Sequence, residues 1–342
     1  RESDSCVLPM VPKLSNWRRN AGLLHLFCSA AQTDIVIARG VLAANLALDL
    51  RERGSVQTVV YDGRGAIAAE AAEYNVFPSP IDEQVPNLER RAVLDSDHRI
   101  AVTEKLADYW QQQYGYTRGA ETVIPCTLSS DLKRLTSQET EANRRSVRNS
   151  LAWSSEAVVI VYSGSTAGWQ SFRLLADWFR IQMVEPNIHA LFLTREDPLI
   201  DELAGQFPER VCRRWLKHEE ILPHLHAADY GVMLRDDSVT NRVASPTKFA
   251  EYLVAGLEVL SSPHIGDYPQ FIEQHRCGRI IDKLSLRVTL KQSTAARRLE
   301  LAQLGRDFFS KNSAHVHGLY RSLLRSIEVA RATSENVERQ AA

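Results

Sequence analysis

The chain has 342 residues, 44% hydrophobic and 24% charged, the balance of a soluble globular protein of about two domains. Its 41 basic and 42 acidic side chains leave a net charge of −1, which offers no electrostatic footprint for nucleic acid. No apolar run reaches the roughly 20 residues that span a bilayer, no signal peptide is visible, and the five cysteines (Cys6, Cys28, Cys126, Cys212, Cys277) form no Cys-x-x-Cys pair. A reduced, cytoplasmic protein without a zinc site is therefore expected.

Taken in order, Arg1 to Asp4 is polar and 6–11 reads as a short strand. Leu23, Leu24 and Phe27 recur at helical spacing and predict a helix over 17–30. The apolar run 34–38 suits a buried parallel strand and ends in Arg39-Gly40. An amphipathic helix over 42–53 stops near Gly54. A strand over 57–61 follows, capped by Asp62-Gly63-Arg64-Gly65, and a helix over 66–74 carries Glu70. Two successive strands thus end beside an arginine and a glycine. Ligands of open α/β sheets bind outside the carboxyl ends of the strands, so Arg39 and Arg64 address one crevice if both strands are parallel. The competing reading is a structural ion pair between Arg64 and Glu70. A helix over 87–94, a strand over 97–103, a helix over 104–114 and a strand over 121–125 complete this half. Asp95-Ser96-Asp97 fits an Asp-x-Asp pattern, but it precedes a strand rather than ending one.

Residues 129–154 are polar, with Arg144, Arg145 and Arg148 in a helical stretch, and are expected to form the linker. The predicted domains are 1–128, 129–310, and a closing segment 311–342 made of a helix over 315–330 and a disordered tail over 332–342. The second half opens with a strand over 157–162 and the small-residue loop Ser163-Gly164-Ser165-Thr166-Ala167-Gly168-Trp169-Gln170. Small residues between strand and helix let backbone approach a phosphate. Strands over 189–194, 211–215, 229–234, 257–260 and 277–281 alternate with helices over 171–183, 196–207 and 218–228, and 284–309 reads as mainly helical. This alternation supports two doubly wound domains with a cleft between them. Arg18, Arg19, Arg51 and Arg53 leave peripheral contact with an anionic membrane open, against the blander reading of solvated helix faces.

The most informative stretch is 245–256. Ser245 reads as an N-cap, Pro246 as the first helical residue and Gly256 as the stop. A hydroxyl, unpaired backbone N–H groups and Lys248 at one helix start are the equipment for holding a phosphate. Glu251, three residues on, shares the face of Lys248. An ordinary capped helix with a solvated Lys248–Glu251 pair is the competing reading.

The run Ser245-Pro246-Thr247-Lys248-Phe249-x-Glu251-Tyr252-Leu253-x-x-Gly256-Leu257, preceded by Ala228-Asp229-Tyr230-Gly231, resembles the donor-binding segment of GT-B glycosyltransferases, close to glycosyltransferase family 4. The resemblance covers roughly residues 34–330. It implies two Rossmann-like domains facing a cleft, and transfer of a sugar from a nucleotide diphosphate sugar to a hydroxyl acceptor. Retention, a glycan or lipid-linked acceptor, bacterial surface polysaccharide or glycoconjugate synthesis, and no metal or separate cofactor are implied with it, with work at the inner face of the membrane left open. Gly164, Ser165, Trp169, Arg235, Asn241, Ser245, Pro246, Thr247, Lys248 and Glu251 are implied to bind the donor. Arg39, Asp62, Arg64 and Glu70 would face the acceptor, and Arg64, Lys248 and Glu251 would act in catalysis. Residues 215–219 would meet the nucleobase, and Gly266 would offer a backbone N–H.

The chain departs from the family in three places. The family's opening strand–turn–helix is not seen, so a truncated N-terminal domain is expected, with a diverged compact one as the alternative. The usual Arg and Lys around the first loop of the second half are replaced by Ser165 and Trp169-Gln170, which leaves Lys248 and Arg235 to supply positive charge. The first glutamate of the family pair falls at Val243, with Asp236, Asp237 and Asn241 open as substitutes. Two rival functions follow. One is a catalytically silent GT-B scaffold or glycan-binding protein. The other is a sugar-nucleotide epimerase, for which His25 and His98 read as bland surface or core histidines.

Overall fold

Apolar runs between turn residues condense into two all-parallel sheets. The computed structural model describes residues 8, 10, 11, 13–129 and 136–341, with side chains through 329. The strand expected over 6–11 lies largely outside the described residues. Two structural units divide the chain. The first takes the residues up to Val102, 106–123 and Arg321 onward; the second takes 103–105 and 124–320.

The first unit holds β1 (Ile35–Arg39), β2 (Thr58–Gly63), β3 (His98–Ala101) and β4 (Glu121–Val123) in the order β1-β2-β3-β4. Every described crossover in it steps in one direction. Val59, Val60 and Tyr61 of β2 are fully buried, as an interior parallel strand requires. The register runs from Ile35 opposite Thr58 to Arg39 opposite Asp62. Asp62 and Gly63 are therefore the last residues of β2, not a turn that caps it. The helix expected over 87–94 spans Ile81–Asp95 with Pro86 inside it. Proline is a stop signal within a helical pattern, and it hid the first turns.

The second unit holds β5 (Val158–Ser163), β6 (Ile188–Leu193), β7 (Val211–Arg214), β8 (Tyr230–Met233), β9 (Glu258–Ser261) and β10 (Gly278–Ile280). Their order is β10-β9-β8-β5-β6-β7. The chain winds outward from β5 to β7 and then restarts on the other side at β8, so the switch point lies between β5 and β8. Alternation along β5 fills both faces. Val159 and Val161 join the core with Phe249 and Leu253, while Ile160 and Tyr162 join the one with Phe179 and Phe192.

Three expectations change here. Residues 137–150 are a helix of the second unit, begun by a Thr136–Glu139 capping box, and not a linker. Its charged pattern is inward-facing: Arg144 and Arg148 are buried and grip the two carboxylate oxygens of Asp229 at 2.6 and 3.0 Å. Of the stretch 284–309, only Ala295–Phe309 is helical. The part before it is an irregular strap, held where Val288 N donates to Gln182 Oε1 and Tyr230 OH donates to the Lys291 carbonyl. Finally, the helical backbone Ala314–Ala341 continues through the stretch expected to be a disordered tail.

Candidate donor site

The switch point puts two strand ends side by side, and the loops that leave them carry the polar groups. After β5, Gly164 has φ +143°, a conformation that side chains rarely adopt. A Cβ there would lie 3.0 Å from Lys248 Nζ, so glycine also makes room for the lysine. Tyr162 OH donates to the Ser165 carbonyl at 2.5 Å and steadies the loop. A short 3-10 turn over Gly168–Gln170 then swings Gln170 inward, where it is buried, while Trp169 stays half-buried and Ser165 exposed.

After β8, Arg235 is 5% exposed. Its backbone N–H donates to Ser262 Oγ, and its carbonyl accepts from Ser262 Oγ and His264 Nε2. Its guanidinium donates to Asn241 Oδ1 at 3.1 Å and to Gln170 Oε1 at 3.0 Å. Lys248, 8% exposed, donates to that same Gln170 Oε1 at 2.9 Å and lies 4.1 Å from the Tyr162 ring centroid. Two buried cations thus share one neutral amide oxygen. Burial, and then the charge of Arg235, push the Lys248 ammonium well below its ordinary range, with Glu251 pulling the other way. Burial raises the Glu251 carboxyl, while Lys248 and His218 lower it.

Lys248 and Glu251 ride on the helix Thr247–Val254, whose N-cap is Pro246. The helix begins one residue later than expected, and Ser245 does not cap it. The buried Ser245 hydroxyl instead accepts from Cys126 N–H at 3.0 Å and pairs with Tyr268 OH at 2.9 Å. Thr247 is exposed at the first helical position. Gly266 N–H donates to the Asn241 carbonyl, so it is engaged within the protein.

The substitutes considered for the missing glutamate separate clearly. Val243 is buried. Asn241 is fully buried, with Oδ1 on Arg235 and Nδ2 donating to the Asp236 carbonyl. Asp237 is clamped by Arg242 at 2.6 and 2.7 Å, and this hydrogen bonding holds its carboxyl below the usual range. Asp236 is exposed, its backbone fixed by Ser171 Oγ and by Asn241. It borders an open hollow of about 660 Å³ beside Gly168, Ser171 and Phe172. Trp215 is 62% exposed, with the Arg195 guanidinium 4.8 Å from its ring centroid.

Within the first unit, Arg39, Asp62 and Arg64 meet at the carboxyl ends of β1 and β2. Burial raises the Asp62 carboxyl, and Arg64 and Arg39 moderate the rise. Glu70 is raised by burial and then by Glu73. The group that orders this corner is Glu89, which the sequence reading missed. It is fully buried, accepts from Ile67 N–H, Ala68 N–H and Tyr114 OH, and so caps the helix Ile67–Tyr74. Gln170, Tyr162 and Ser262 were missed likewise. For Gln170 alone there was a signal, its place where the family carries a cation. Asp97 of the Asp-x-Asp pattern is engaged by Arg51 and Val59 N–H.

No family profile matches the chain, and no curated protein matches it by sequence. Solved structures do match. Anabaena HepE in complex with UDP-glucose superposes with a TM-score of 0.65 at 14% identity, covering 94% of this chain and 86% of that one. A glycosyltransferase from Rickettsia africae gives 0.61 at 13% identity, covering 96% and 84%. WaaG, a glycosyltransferase involved in lipopolysaccharide biosynthesis, gives 0.57 at 13% identity, covering 92% and 96%. The chain has the fold of these GT-B glycosyltransferases.

Proposed function

We propose that this protein is a glycosyltransferase whose second unit binds a nucleotide diphosphate sugar and delivers the sugar to a hydroxyl acceptor. The observation that carries the reading is the convergence of Lys248 and Arg235 on Gln170 Oε1, at a switch-point loop and a helix N-terminus. Breaking the anomeric C–O bond leaves negative charge on the diphosphate. Donors fixed in a dry site before that charge develops stabilise it most. Lys248, Arg235 and the N–H groups that open the helix Thr247–Val254 are such donors. Glu251, one turn along, takes hydroxyls of the ribose or the sugar. Uracil is the first base to test, since HepE is crystallised with UDP and with UDP-glucose.

Arg39, Asp62, Arg64 and Glu70 belong to the acceptor side in this proposal, with Arg64 acting in catalysis. Retention and a polysaccharide, glycan or lipid-linked acceptor belong to it too, as does neutralisation of the diphosphate by protein cations instead of a metal. Among the described residues no helix is long and apolar enough to cross a membrane. The second reading, a silent scaffold, rests on the buried Val243 at the position of the family glutamate. A thermal-shift panel of UDP, GDP, ADP and CMP on wild type and Lys248→Ala tests the site, with about 2.7 kcal/mol of stabilisation expected at a hundredfold excess over Kd. One nucleoside diphosphate should stabilise wild type and lose its effect in the variant; no response to any would sink the donor-site reading. Binding followed by slow hydrolysis of the matching nucleotide sugar would separate an enzyme from a scaffold.

A further inference from the structure

The loop that carries Gln170 to the donor cations has a second side. There the open hollow of about 660 Å³ begins, between Gly168 and Ser171 of the loop, the helix Phe172–Gln182, Asp236 after β8 and Leu284 of the strap. All of these residues belong to the second unit. The volume falls within the range of small-molecule sites.

Two kinds of surface meet in the hollow. Phe172 and Trp178 belong to the core built on Tyr162, Phe179 and Phe192, and Leu174 and Leu284 pack against it. The floor is therefore apolar, and close packing beneath it makes the hollow preformed. The rim is polar and uncommitted. Asp236 and Arg173 are both exposed there, and neither the carboxylate nor the guanidinium makes a hydrogen bond or ion pair among the described residues. Between them Ser171 is 7% exposed and sits at φ +52°, in the left-handed region. A serine stays in that conformation only where its surroundings over-determine it. Asp236 N–H does so by donating to Ser171 Oγ at 2.7 Å, and the hydroxyl itself donates to no described residue. An anion in the hollow would face Asp236, and a cation would face Arg173. A wholly apolar ligand would cover both charges without pairing them. A pyranose fits instead, because it has a face of C–H groups for the floor and a rim of hydroxyls that both donate and accept.

We propose that this hollow is a saccharide-binding site of the second unit, separate from the donor cations and specific for neutral sugar rings. The apolar face of a ring lies on Phe172, Leu174 and Leu284. Asp236 accepts from its hydroxyls, and Arg173 and Ser171 donate to them. The site stands whether or not the donor site takes a nucleotide.

Maltose, cellobiose and lactose are the probes, sorbitol the polyol control that lacks a ring, and titration calorimetry the readout. At least one disaccharide should bind wild type one to one, with a Kd of about 1 mM or tighter, and clearly tighter than sorbitol. Asp236→Ala and Arg173→Ala change exposed side chains and keep the fold. Each should weaken binding by about tenfold, the loss of one hydrogen bond to a charged group. Lys248→Ala and Arg64→Ala should bind the sugar as wild type does, which separates the hollow from the donor cations and from the acceptor-side residues of the first unit. The inference is overturned if no disaccharide binds, if sorbitol binds as tightly, if the double variant Asp236→Ala with Arg173→Ala binds as wild type does, or if Lys248→Ala or Arg64→Ala abolishes binding.

Discussion

Gln170→Glu places a permanent anion where the donor diphosphate is proposed to act. Gln170 Oε1 already accepts from Lys248 Nζ at 2.9 Å and from Arg235 Nη2 at 3.0 Å. The amide Nε2 donates to no described residue, so exchanging it for oxygen breaks no bond. At an effective dielectric near 20, a carboxylate about 3 Å from a cation gains roughly 5 kcal/mol, and here there are two cations. Taking the carboxylate out of water costs several kcal/mol, which leaves a net gain of about 2–4 kcal/mol. A unit of this size shifts by about 2–4 °C per kcal/mol, so the ligand-free variant should melt roughly 5–10 °C higher. The same neutralisation removes the attraction for a diphosphate. Affinity for the preferred nucleoside diphosphate should fall by about 3 kcal/mol, on the order of a hundredfold. Differential scanning calorimetry and titration calorimetry on the two proteins read both numbers. A melting point that is unchanged or lowered, together with unaltered nucleotide affinity, refutes the idea that Lys248 and Arg235 await an anion.

The remaining predictions concern charge at other points of the second unit. Between its lowered folded value and the ordinary value near 10.5, Lys248 binds fewer protons folded than unfolded. Stability of the free protein should therefore rise with pH across that window, and nucleotide binding should take up a proton and weaken; titrations in buffers of different ionisation heat check this, and Lys248→Met should abolish both. Asp229→Asn leaves the buried Arg144 and Arg148 without their shared carboxylate and should cost about 3–5 kcal/mol in urea unfolding. Burial and the charge of Arg298 push His226 down to about 4. The unfolded chain binds the extra proton first as pH falls below about 6.5, so roughly 3 kcal/mol of stability should be lost by pH 4, and His226→Phe should flatten that slope in pH-resolved unfolding. Asp236→Asn should cut turnover while leaving nucleotide affinity intact, whereas Asp237→Asn, which removes only a surface pair with Arg242, should leave turnover near wild type.

Where physics acts along the chain, the sequence was readable. Apolar runs gave ten strands to within a residue or two at most ends, because parallel strands carry near-continuous apolar runs; β1 carries one although it is an edge strand with Ile37 55% exposed, and not the buried strand expected. The helix over 247–254 and its stop at Gly256 were equally plain. Readings failed where a residue acts against its type. Pro86 sits inside a helix and Arg144 and Arg148 turn inward, and neither outcome follows from local pattern. Ser245 illustrates the same limit within the site. Its type and position were those of a cap, but the partners that claim its hydroxyl, Cys126 and Tyr268, come from distant segments.

The pairing of Lys248 with Arg235 shows how far composition can go and where it stops. That the chain lacks the family's cations on its first loop, and that these two were left to replace them, was an inference from the sequence alone. That both reach a single oxygen depends on a 3-10 turn and on a glycine at φ +143°, which together decide where Gln170 and Lys248 can go. The same geometry bears on the absent glutamate. Asn241 is committed to holding Arg235 and Asp237 to Arg242, so neither can exchange its partner for a sugar without releasing another charge. Asp236 has its backbone fixed and its carboxylate exposed on the open hollow beside the loop. Of the three alternatives that the sequence left level, it is the one whose use disturbs nothing else.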